Sequence, residues 1–131
     1  MQRFAASVAL ILSLASGGLG ASEDFFFSQL SELAGPNAIA CGTVKLREDP
    51  SSIFACATDA KAAGTSFWVA AEVQGTDSLL WRGVALAPDK LVWLLSYDSD
   101  VHGGGGYGKE SLNYGFCREV QFSAKRGIYC P

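Results

Sequence analysis

The sequence has little charge, and less positive charge than negative. Charged residues make up 18% of its 131 positions, and 13 acids outnumber 10 bases, for a net charge of -3. No segment carries the basic stripe that general binding to DNA or RNA needs to neutralise phosphates. There is one histidine. No two Cys or His residues lie two to four positions apart, which argues against a structural zinc site. C-x-x-C is missing, and with it a thioredoxin-like redox centre. G-x-S-x-G is missing too, and with it the nucleophile elbow of an α/β-hydrolase. No apolar run reaches the roughly 20 residues of a membrane-spanning helix. No Pro- or Ser-rich linker and no internal repeat divides the chain. What is present is 49% hydrophobic residues, too many for a disordered tail and enough for one folded domain.

The N-terminus reads as a targeting segment. Arg3 supplies a positive start, Phe4 to Leu14 form an apolar stretch, and small residues follow from Ala15 to Ala21. Gly18 and Gly20 fit the small-x-small rule for cleavage after Gly20, and cleavage after Ala21 is the alternative. Residues 1–21 are therefore expected to be a cleaved signal peptide and 22–131 a single domain. The mature protein would be periplasmic or secreted from a bacterium, with no membrane insertion after cleavage. Loss of Arg3 leaves nine bases against 13 acids.

Export would expose Cys41, Cys56, Cys117 and Cys130 to an oxidising compartment, where an even count reads as two disulfides. Three pairings are possible, and the sequence alone does not choose among them. Cys41–Cys56 with Cys117–Cys130 is favoured because each pair flanks a short local segment.

Ser22 to Ala34 has helical character. Ser22 can cap, Glu23 and Asp24 suit the first turn, and Phe26, Leu30 and Leu33 share a face before Gly35-Pro36 stops the helix. Ala38 to Leu46 reads as a connecting, partly extended segment. Asp49-Pro50 opens a second helix and Gly64 ends it. Phe67 to Gln74, Leu79 to Leu86 and Leu91 to Tyr97 read as strands joined by short turns, which makes an antiparallel meander. Asn113 to Phe122 is a possible fourth strand. The expected fold is α+β, stapled by disulfides. One or two helices pack on a three- to four-stranded antiparallel meander in two layers.

That order of elements resembles the cystatin or PepSY layout, without any sequence motif of either. From Cys41-Gly42 through Tyr97-Asp98-Ser99-Asp100 the chain is similar to small exported bacterial proteins of unassigned function. This likeness brings no catalytic residues.

Alternation along the strands gives two largely apolar faces. One takes Phe67, Val69 and Ala71 with Trp81 and Ala85 and with Trp93, Leu95 and Tyr97. The other takes Trp68 and Ala70 with Leu80, Val84 and Leu86 and with Val92 and Leu94. A sheet with one wet face would alternate cleanly with polar residues. The second face therefore needs a cover, either the first helix or a partner. Left uncovered, Trp68, Leu80, Val84 and Leu94 would form an exposed patch, and aromatic anchors such as Trp68 and Trp81 would make the tryptophan-bearing sheet, with the glycine loop, the working interaction surface.

The stretch 98–108 holds the remaining chemistry. Asp98, Asp100 and His102 alternate ahead of Gly103, like the front of a calcium loop with histidine in place of an oxygen ligand. The set would suit a transition metal better. Gly103, Gly105 and Gly108 match G-x-G-x-x-G only because the run is rich in glycine, and no βα unit surrounds them. Neither a Ser-His-acid triad nor a carboxylate pair of a glycosidase is recognisable. The expected function is a binding or interaction module without a catalytic site or cofactor, its partner another protein or a second copy. The alternatives are a metal-binding protein or metal-dependent enzyme using Asp98, Asp100 and His102, and a structural envelope protein.

Overall fold

A computed structural model describes residues 22–101 and 110–131. The expected signal peptide, His102 and the glycine run that follows lie outside the described residues.

The first helix, α1 (Glu23–Ala34), forms where its caps predict. Ser22 Oγ accepts the Phe25 amide at 3.0 Å, and the chain leaves the helix at Gly35 with φ 93°. Segment 38–46 then departs from expectation. Ile39–Val44 is a full strand, β1, and it runs parallel to β2 (Phe67–Val73). A parallel partner needs a crossover, and α2 (Ser51–Ala63) is that crossover. Pro50 caps α2, Asp49 Oδ1 accepts both the amide and the hydroxyl of Ser51, and Gly64 ends it in the left-handed region at φ 68°. From β2 the chain meanders antiparallel through β3 (Leu80–Leu86), β4 (Val92–Asp98) and β5 (Ser111–Phe116). The sheet is mixed and five-stranded, in the order β1-β2-β3-β4-β5. A separate hairpin of β6 (Gln121–Ser123) and β7 (Gly127–Tyr129) closes the described chain.

The cystatin- or PepSY-like antiparallel layout is therefore not the one adopted, although the α+β class holds. Helices on opposite faces of the sheet make three layers where two were expected. On one face α2 and the β6–β7 hairpin enclose Phe67, Val69, Val84, Leu86, Val120 and Ile128. On the opposite face α1 lays Phe26 and Leu30, both 0% exposed, over Ala70, Trp81, Ala85, Leu95 and Tyr97. Burying each of those two α1 side chains contributes about 1.5–3 kcal/mol.

Both disulfides pair locally, Cys41 with Cys56 and Cys117 with Cys130. The register of β1 slips between Ala40 and Gly42, so Cys41 sits on a bulge, and Gly42 takes φ 109°. Cys41 is thereby buried on the α2 side, where Cys56 meets it. The second bridge ties the end of β5 to the residue after β7, and so fastens the hairpin to the sheet.

Candidate functional site

The cross-strand register redistributes the expected interaction surface. Trp68 lies opposite Ala85, and Trp81 opposite Tyr97, all on the α1 face. Val84 lies opposite Val69 and Leu94, and Leu80 opposite Val73, on the α2 face. Parity had grouped Trp81 with Phe67 and Val69. The connection from Val73 to Leu80 opposes odd positions of β2 to even positions of β3, and one residue of offset flips every side chain. The four residues therefore share no surface. Trp81, 3% exposed, packs edge-on to Phe27 at 5.1 Å and beside Phe26, while Val84 is 0% exposed. Both apolar faces have a cover, α1 on one and α2 with the β6–β7 hairpin on the other. Trp81 Nε1 has no hydrogen-bond partner among the described residues, so this indole serves the core as apolar bulk.

At the expected metal loop, Asp98 Oδ1 accepts the Asp100 amide at 2.9 Å. His102 lies outside the described residues. Among those described, no three His, Cys, Asp or Glu side chains gather as a set that could hold a metal ion.

A different site emerges from residues far apart in the chain. The loop between β1 and α2, the ends of β2 and β3, and the turn of the β6–β7 hairpin enclose a cleft of about 310 Å³. Lys45, Arg47, Arg82, Lys125 and Arg126 line it, five of the eight described cations. Of the 13 acids only Glu48 and Glu72 reach it. Both have local tasks. Glu48 Oε2 accepts the Lys45 amide at 3.1 Å and Glu72 Oε2 the Leu46 amide at 3.4 Å.

Each wall follows from local sequence. Lys45 to Glu48 close a turn through the Glu48 amide on the Lys45 carbonyl, with Arg47 in the left-handed region at φ 69°. That turn presents Lys45 and Arg47 at the rim, both exposed. Across the cleft, Ser123 Oγ accepts the Arg126 amide and Gly127 supplies φ 70°, so Lys125 sits on the turn. The Arg126 guanidinium lies 4.2 Å over the ring of Tyr129. Val44, Phe54 and Ile128, all buried, make the floor. Arg82 rises from β3 and donates from Nη1 to the Ile128 carbonyl at 3.1 Å. Pro50, at the N-terminus of α2, adds the positive end of a helix dipole to the same rim.

Reading along the sequence missed this cleft. Its signals are two small basic groupings, Lys45-x-Arg47 and Lys125-Arg126, each in a turn, and one arginine inside an apolar strand. Only the parallel β1 and the terminal hairpin bring them together. No known protein family, no curated protein and no solved structure matches the chain.

Proposed function

We propose that the protein is an exported bacterial binding module, periplasmic or secreted, that takes an anionic ligand in the cleft between the β1–α2 loop and the β6–β7 hairpin. One observation carries this reading: a chain with more acids than bases gathers five of its eight described cations around one concave site. Low-dielectric walls focus such a field and raise the local concentration of anions. The volume, about 310 Å³, is at the small end of ligand pockets, which run from roughly 300 to 1,000 Å³. Two disulfides in a small domain suit an oxidising compartment. A binding role, not a catalytic one, is supported by the cleft's chemistry. Its two carboxylates accept backbone amides, and every cysteine is in a disulfide.

The test is an amide chemical-shift titration of the mature protein with inorganic phosphate and with benzoate. Saturable shifts confined to residues 45–48 and 124–127 are expected. Replacing Lys45 and Lys125 with Gln should weaken binding of either anion several-fold. Shifts scattered over the surface, or none with either anion, would refute the reading.

A further inference from the structure

The cations of the cleft are not equivalent. Lys45, Arg47, Lys125 and Arg126 are exposed and stand on turns, whereas Arg82 is partly buried and stands on the central strand of the sheet. Its position on β3 is opposite Ser96, with Asp98 two residues further along the same face of β4. Such diagonal neighbours lie about 7–8 Å apart, within reach of a long side chain. Arg82 nevertheless forms no ion pair among the described residues. It turns the other way, held by the Ile128 carbonyl that makes the cleft's far wall. One donor of a rigid fork is used for that anchor, and Arg82 lines the same cleft as the apolar floor.

We infer that Arg82 is the residue that selects the ligand, and that the ligand class is a small organic carboxylate with an apolar body. This inference rests on the anion-binding reading of the cleft. A planar guanidinium fixed at one nitrogen suits a planar or tetrahedral oxyanion, whereas an ammonium acts as a point charge, so the apolar floor decides between oxyanions. The floor of Val44, Phe54 and Ile128 offers an apolar body a place to bury. It penalises a strongly hydrated dianion, which gives up more solvation against an apolar floor than a singly charged carboxylate does. The exposed lysines and arginines of the rim draw anions of every kind and distinguish them little.

Arg82→Lys separates these roles, because it keeps the charge and removes the fork. Benzoate affinity should fall about tenfold, while binding of inorganic phosphate should change less than about twofold, since lysine serves phosphate well. Lys125→Gln should weaken both anions equally. In the wild type, the Arg82 side-chain Nε–H resonance should move on adding benzoate and stay in place with phosphate, a readout that needs no variant to fold. Unchanged benzoate binding in Arg82→Lys, equal loss of both anions, or a silent Arg82 resonance would overturn the inference. Wild-type protein that binds phosphate in the cleft but not benzoate would also overturn it, with the anion-binding reading left standing. Wild-type protein that binds neither would end both.

Discussion

Gly83 lies directly under Leu30 and Phe26 of α1. A Cβ there would stand 2.5 Å from Leu30 Cδ1 and 3.0 Å from Phe26 Cζ, both tips of buried side chains. Gly83→Ala should therefore lift α1 off β3 and destabilise the protein by about 1–3 kcal/mol, as overpacking does. Urea unfolding followed by tryptophan fluorescence would check it. A glycine inside an apolar strand is a sequence-level sign of close approach, but it does not say what approaches. Tyr97 gives a second prediction. Burial, then the Glu110 carboxylate that bonds its hydroxyl, push its ionisation from 10.0 up to about 12. Tyrosine is neutral when protonated, so the fold retains this proton after the unfolded chain has released it. The stability it contributes is complete below the ordinary value of 10.0 and is lost as pH climbs through about 12. Tyr97→Phe should flatten that alkaline decline in denaturant melts taken across this range. Some slope should remain, because burial also raises Tyr114.

The elements divide by how much of their geometry is local. The two helices were legible because their ends are written in the chain: Ser22 and Gly35 around one, Asp49 and Gly64 around the other. The meander β2–β3–β4 was legible from apolar runs and short turns. β1 was not, because Gly42 and a bulge at Cys41 break its pattern and its partner lies beyond a helix. The hairpin was not either. Each of its strands has three residues, and a hairpin that short is not stable alone. It is held by the Cys117–Cys130 bridge, by Phe122 against Phe54 and Phe67, and by Lys61 Nζ on the Val120 carbonyl at 2.7 Å. Replacing Cys117 and Cys130 with Ser should remove about 3 kcal/mol. Hydrogen exchange should show the loss first in β6–β7, with α1 and β3 still protected. The same replacement of Cys41 and Cys56 should cost a similar amount, but loosen β1 and α2 instead. The candidate site inherits this division: of its walls, the α2 end and the strands β2 and β3 were readable in advance, and the β1–α2 loop and the hairpin turn were not.

At the scale of the molecule, charge is segregated as well as scarce. Eleven of the 13 acids lie away from the cleft that five cations line. An anion is then repelled by most of the surface and admitted at one place. Exposed charges are screened over about 10 Å at 0.1 M salt. Anion affinity should thus fall as sodium chloride is raised, and the fall should be smaller in the Lys45→Gln/Lys125→Gln protein; titration at two salt concentrations would measure it. The hairpin also sets an order in time. Residues 121–129 leave the ribosome after every residue they face across the cleft, and Cys130 follows them. A molecule oxidised at Cys41–Cys56 alone would lack the bridge that fastens the far wall. Competence to bind would then wait on a single covalent event, the closing of the Cys117–Cys130 bond behind the wall it fastens.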